Sequence, residues 1–285
     1  MFTKKLIPVL LIIFMILTGA LAESAIPEEF SIAENTMIEA DLDGDGTMEK
    51  VSWTAIPVDE YDDKNYIITV DTKANDALTY TLEGGYLLGV YVADLDGDGK
   101  DELLLTGDEA SDDYITICLH LFKGRLEPAM FADCTRTDYN HGYDKYGYGK
   151  IVAIDGNRLT LSGSQDVLGT WFGSRIFTLA DTGVFEFDDN GKWVRDINSI
   201  DDDTWEYASL KTKAELPYTT TDGKEATLPV GTQLVIVSSD KQTADFMTKD
   251  GVEGAISIYP NFHEWGSMID NKPEDYYFEY VPYAD

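Results

Sequence analysis

Ala40-Asp41-Leu42-Asp43-Gly44-Asp45-Gly46 returns letter for letter as Ala93-Asp94-Leu95-Asp96-Gly97-Asp98-Gly99, 53 residues further along a chain of 285. Apolar residues precede each copy, Ile38 in one case and Val90 and Val92 in the other. A strand-like run follows each, Val51 to Ala55 and Leu103 to Leu105. A repeat of this length, flanked by strands, is the sequence habit of stacked β-sheet units such as propeller blades. Outward from the repeat, short runs alternate polar and apolar residues, as in Val51, Trp53 and Ala55, in Tyr66 to Val70 and in Tyr114 to Leu119. Gly, Asp and Asn break these runs, at Asp155-Gly156-Asn157 and Asp189-Asn190-Gly191 for example, which is the pattern of antiparallel strands joined by tight turns. No stretch keeps a helical period over three turns. The fold class is all-β, a propeller-like arrangement of antiparallel sheets. The segments Ile151 to Leu161 and Arg175 to Phe187 read as further units without the acidic loop.

Charge sets the first limit on partners. The chain carries 53 Asp and Glu against 21 Lys and Arg, a net charge of −32, while 44% of its residues are hydrophobic. That much apolar mass builds a core. A surface so acidic repels phosphate backbones and anionic membranes, because such binding depends on Lys and Arg releasing counterions. Nucleic acid is excluded as a partner, and cations are favoured.

Residues 1–22 put Lys4 and Lys5 before an apolar run from Leu6 to Leu17 and end on Ala20-Leu21-Ala22. This reads as a secretory signal peptide cleaved after Ala22, the run being shorter than the ~20 residues of a usual membrane span. Its removal leaves 19 basic against 53 acidic residues, a net charge of −34, and no stable membrane insertion. The localisation implied is secreted, extracellular or cell envelope. In an oxidising compartment Cys118 and Cys134 can form a disulfide, a loop closure of about 3 kcal/mol in the chain-entropy model. Two free thiols are the alternative, since a chain with this much core does not need a staple.

Two mature domains are expected, a β-repeat domain over 23–207 and a small barrel over 208–285. In the second, Leu228 to Val237 is a turn feeding a strand, and Phe246 to Ile256 is a hairpin turned at Asp250-Gly251. The tail from Phe262 to Asp285, with Tyr276, Tyr277, Phe278, Tyr280 and Tyr283, packs onto a domain.

The repeated loops supply the chemistry. Each sets Asp at positions one, three and five, Gly at six and an acid at nine: Asp41, Asp43, Asp45, Gly46 and Glu49, then Asp94, Asp96, Asp98, Gly99 and Glu102. Carboxylates converging in a tight loop repel unless a cation neutralises them. Hard oxygen donors in a flexible loop fit Ca²⁺, with the carbonyl of Thr47 or Lys100 at position seven completing each of two cages. Mg²⁺ holds its waters too firmly for such a cage, and no His or Cys near the loops invites zinc. An EF-hand is ruled out, because position twelve is Ser52 or Leu105 rather than Glu and the flanks are strands.

The acid at the ninth position resembles the calcium loop of FG-GAP and VCBS-type repeats, where Asp-rich loops join two strands of a blade; Glu49 and Glu102 stand where Asp is usual. The resemblance covers residues 35–125, and 126–200 more weakly. The pattern Leu228-Pro229-x-Gly231-Thr232-x-Leu234 with Asp250-Gly251-x-x-Gly254-x-Ile256 resembles a bacterial SH3-like domain, with Ala255 in place of the usual Trp. Such domains bind cell-wall peptides or act as adaptors.

Catalytic signals are sparse. Of three His, His120 lies in an apolar strand as a sheet-face residue, and His263-Glu264-Trp265 lacks the second His of a helical zinc protease. There is no G-x-S-x-G elbow, P-loop or dinucleotide fingerprint. Tyr139, Tyr143, Tyr146 and Tyr148, set among Gly and polar residues, make a loop that either stacks on a sugar or peptide or covers a sheet edge. The reading is a non-enzymatic calcium-binding protein for binding, adhesion or adaptor duty. Its partner is a cell-wall or surface glycan or peptide, or another exported protein. The alternative is an envelope-associated hydrolase that the SH3-like barrel targets.

Overall fold

The computed structural model describes residues 31–58, 64–72, 77–83, 85–108, 113–132, 145–188, 191–240, 242–260 and 266–283. Residues 1–22, expected from the sequence to be a signal peptide, lie outside them.

Antiparallel sheets dominate. The first is the meander β1 (Met37–Ala40), β2 (Glu49–Pro57), β3 (Lys64–Asp71) and β4 (Leu78–Glu83). The second runs β5 (Tyr86–Ala93), β6 (Glu102–Asp108), β7 (Tyr114–Phe122) and β8 (Arg125–Pro128). After β9 (Met130–Phe131) and β10 (Gly147–Tyr148), a third meander follows as β11 (Lys150–Asp155), β12 (Arg158–Asp166), β13 (Thr170–Leu179) and β14 (Val184–Phe187). An acidic loop joins the first two strands of sheets one and two. In the third sheet the short turn at Asp155, Gly156 and Arg158 stands in its place.

Alternation decides which way each strand faces, because successive side chains point to opposite sides. In β3, Tyr66, Ile68 and Val70 turn inward while Ile67 and Thr69 face out, half exposed. The middle sheet is buried on both faces and loses the alternation, which is why Leu103, Leu104 and Leu105 of β6 are consecutive. Leu103 and Leu105, with Val90, Val92, Ile117 and Leu119, meet Val51, Ile68 and Val70 of the first sheet. On the opposite face Leu104 and Cys118 join Leu159, Leu161, Trp171 and Phe177 of the third. Phe131 stacks on Phe185 at 4.4 Å and meets the edge of Phe177 at 5.5 Å, closing this second core from the side. Each fully buried Leu contributes about 1.5–3 kcal/mol relative to exposure.

The small barrel expected over 208–285 does not close among the described residues. After β15 (Trp193–Val194) and the short helix α1 (Asp202–Tyr207), the strands are β16 (Leu210–Lys211), β17 (Leu216–Thr220), β18 (Glu225–Leu228), β19 (Gln233–Ser239), β20 (Thr243–Thr248) and β21 (Glu253–Ser257). Closure needs the two edge strands to pair. Here the free side of β19 is taken by β15 and β16, and β18 stays as an edge at the far end. Val194 also pairs with Ser174 of β13, so β15 stitches these strands to the third sheet in one twelve-stranded sheet. The second core likewise runs across residue 208, from Trp171 and Trp193 to Leu210, Leu234 and Phe246. Two expected turns are present. Gly251 (φ +82°) turns β20 into β21, and Gly231 (φ +87°) precedes β19.

Part of the aromatic tail is buried, while Tyr276 and Tyr280 stay exposed. Tyr277, in the short helix α2 (Glu274–Tyr277), and Phe278 are buried, and the Thr170 N–H donates to the Pro282 carbonyl at 2.9 Å. Glu274, only 7% exposed, organises the tail, its Oε2 accepting from the Ser267 N–H at 2.7 Å and the Tyr283 hydroxyl at 3.0 Å. Burial pushes the Glu274 carboxyl above the ordinary carboxylate value, against the pull of those donors. A carboxyl raised in this way contributes stability below its unfolded pKa, and that contribution is lost as pH rises through the higher folded one. Thermal melting followed by circular dichroism is therefore expected to show wild type losing stability relative to Glu274→Gln as pH rises above the ordinary carboxylate range. Parallel curves would contradict the assignment.

Candidate metal centre

Both acidic loops fold the same way because their sequences demand it. In the first, Leu42 turns into the core at 2% exposure, leaving Asp41 and Asp43 on the outer side. The two carboxylate oxygens of Asp41 accept the N–H groups of Gly44 and Gly46, each at 2.9 Å. Asp43 accepts from Asp45 at 3.1 Å, and Asp45 from Thr47 at 2.6 Å. Glu49, the first residue of β2, reaches back to accept the Leu42 N–H at 2.9 Å. The second loop repeats every bond. Asp94 accepts from Gly97 and Gly99 (2.8 and 3.1 Å), Asp96 from Asp98 (3.0 Å), Asp98 from Lys100 (2.9 Å) and Glu102 from Leu95 (2.8 Å). These turns require left-handed backbone at the fourth and sixth positions. Gly44 and Gly97 both have φ of +74°, and Gly46 and Gly99 have +77° and +85°.

The folding gathers three carboxylates at each loop. Ligand oxygens of Asp41, Asp43 and Glu49 all lie within 4.8 Å of one another, as do those of Asp94, Asp96 and Glu102. At such spacing each like-charged pair repels by about 1 kcal/mol in water and by several at the lower dielectric near a protein surface. Glu49 is 4% exposed, and burial raises its carboxyl above the usual range, with repulsion from Asp43, Asp41 and Asp45 adding to the rise and the Leu42 N–H opposing it. Among the described residues no Lys or Arg pairs with the acids of the first loop. In the second, Lys100 meets Asp98 at 2.7 Å, which lowers the Asp98 carboxyl and raises the Lys100 amine. That pair is half exposed and adds little stability.

The donor set at each cluster is all oxygen, as a hard cation requires, and the groups collected are those a divalent ion would neutralise. Each carboxylate oxygen that accepts a backbone N–H keeps a second lone pair for an ion. Asp45 and Asp98, expected at position five, stand outside the three-carboxylate groups, and Thr47 and Lys100 contribute their N–H groups to those two side chains.

Two neighbours of the loops were not legible in the sequence. Strand pairing of Leu103 with Leu119 sets His120 opposite Glu102, its Nδ1 3.6 Å from Oε1, so a histidine does stand beside the second loop, contrary to the sequence expectation, though outside its three-carboxylate group. Asp101 accepts the Asp41 N–H, and burial followed by repulsion from Asp94 and Asp41 raises its carboxyl. The only hint of Asp101 in the sequence is that it replaces Met48 at the eighth position of the repeat.

The remaining sequence candidates fall elsewhere. Tyr146 packs against the core between sheets one and two, with the Lys145 amine 4.5 Å above its ring, and Tyr148 packs against the other core from β10. Tyr139 and Tyr143 lie outside the described residues, as do Cys134, His141 and His263. Cys118 is fully buried, and burial, then the charges of Glu102 and Asp96, push its thiol up. Two concavities are open depressions, one lined by Lys213, Ala214, Pro273, Asp275 and Tyr276, the other by Asn35, Met37, Trp53 and Thr69 among others.

No family model, curated protein or solved structure matches this chain.

The loop glycines give a graded test. A Cβ at Gly46 or Gly99 meets nothing within 4 Å, so alanine there adds backbone strain alone, about 1–2 kcal/mol. At Gly44 the same Cβ also meets Lys100 Cγ at 2.7 Å. Urea unfolding is expected to rank Gly44→Ala below Gly46→Ala in stability, and equal midpoints would contradict the inter-loop contact.

Proposed function

We propose that this protein is an exported, non-enzymatic calcium-binding protein built from β-repeats of FG-GAP or VCBS type, acting as a binding, adhesion or adaptor module at the cell surface. One observation carries the reading: two identical heptapeptides adopt one loop conformation, and each brings three carboxylates within 4.8 Å of one another. Asp41, Asp43 and Glu49 would hold one ion and Asp94, Asp96 and Glu102 the other, with Asp45, Asp98 and the carbonyls of Thr47 and Lys100 as further donors. Bound calcium supplies positive charge where like charges crowd. Its role is structural, and its binding free energy becomes folding free energy.

The stacked four-stranded meanders support a propeller-like reading of residues 23–207. The hairpin at Gly251 and the turn at Gly231 support an SH3-like ancestry for 208–285, as an open sheet joined to its neighbour. The acid excess directs the partner search to neutral or cationic surfaces, a cell-wall or surface glycan or peptide, or another exported protein.

A calcium chelator is expected to lower the melting temperature by several degrees and added Ca²⁺ to restore it, since a site held at 100 times its dissociation constant adds about 2.7 kcal/mol. Asp43→Ala with Asp96→Ala reproduces the chelator effect and removes the response to Ca²⁺. Identical melting with and without the ion would sink the reading. Co-sedimentation with purified cell-wall fragments tests the partner, with calcium-dependent retention expected. Release of soluble sugar or peptide from the fragments would instead identify a hydrolase.

A further inference from the structure

The two acidic loops touch, and a residue outside both ligand groups joins them. Asp101 stands at the eighth position of the second loop, between Lys100 and the ninth-position acid Glu102. Its Oδ2 accepts the Asp41 N–H at 2.9 Å, while its own N–H donates to the Asp41 carbonyl at 2.8 Å. This reciprocal pair fastens the first residue of loop one to the segment that closes loop two. Beside it the Lys100 stem lies hard against Gly44.

We propose that Asp101 is a positioning residue that couples the two cation sites, so that an ion held in one loop raises the affinity of the other. The proposal rests on the calcium reading above. An ion in the second loop orders Lys100 to Glu102 and with them Asp101, and Asp101 in turn fixes the backbone of Asp41. The Asp41 carboxylate closes the first loop on Gly44 and Gly46, so fixing its backbone orders that loop before its own ion arrives. A second ligand that meets an already ordered site loses less conformational entropy on binding, which is positive cooperativity. Linkage requires the reverse effect to be equal.

Calorimetric titration of the protein with CaCl₂ tests the coupling. Asp96→Ala leaves the first loop as the one intact site, and Asp43→Ala leaves the second. Wild type is expected to bind two ions, the second step tighter than the single-site affinities by at least roughly fivefold, with the same factor obtained from either variant. In Asp101→Ala two ions still bind but the factor falls to about one, whereas Asp101→Asn, whose side-chain oxygen still accepts the Asp41 N–H, retains it. Two ions bound by wild type with the single-site constants would overturn the coupling and leave the calcium reading intact, a comparison that does not depend on Asp101→Ala folding. A factor that survives in Asp101→Ala would overturn the role of Asp101. No binding by wild type at millimolar calcium would overturn the site reading and the coupling together.

Discussion

Three carboxylates confined within 4.8 Å of one another repel, and each acidic loop imposes that confinement twice over, by its own turn and by the sheet beneath it. The turn is closed by Asp41 or Asp94 accepting two backbone N–H groups, which left-handed glycines make available. The sheet places the third residue, because Glu49 and Glu102 begin β2 and β6 opposite Ala40 and Ala93, and each buried carboxylate is held by the Leu42 or Leu95 N–H it accepts. An uncompensated buried charge is strongly destabilising. The rest of the molecule must therefore hold the loops together or be supplied with a cation that removes the repulsion.

The hydrophobic stack provides the holding. Leu42 anchors the first loop in the core between sheets one and two, and Leu95 anchors the second in the core between sheets two and three. Each anchor also donates its N–H to the ninth-position Glu, so a single residue ties the packing to the charge cluster. The middle sheet has no free face, and any loosening of it disturbs both cores at once. Stability, loop geometry and the crowding of charge are thus parts of one arrangement.

Much of this was legible in the sequence, because alternation and turn residues are local signals. Tyr66 to Val70 and Tyr114 to Leu119 announce strands β3 and β7, and the heptapeptide repeat announces two equal loops with the acids that gather in them. Long-range pairing left no comparable trace. Two residues, Trp193 and Val194, join β13 to β19 and leave the barrel open, and nothing in so short a segment marks it as a bridge between sheets. His120 reads as an ordinary sheet-face residue until strand register sets it opposite Glu102. Asp101 reads as one more surface acid until the loops are brought side by side.

The central claim is that the acidic loops exist to hold calcium, and the most direct measurement is anomalous diffraction from crystals of the protein grown with CaCl₂. The account predicts one peak at each loop, within about 2.3–2.6 Å of oxygens from Asp41, Asp43 and Glu49 in one case and from Asp94, Asp96 and Glu102 in the other. A map from calcium-saturated crystals in which both loops keep their conformation and neither carries a peak would contradict it.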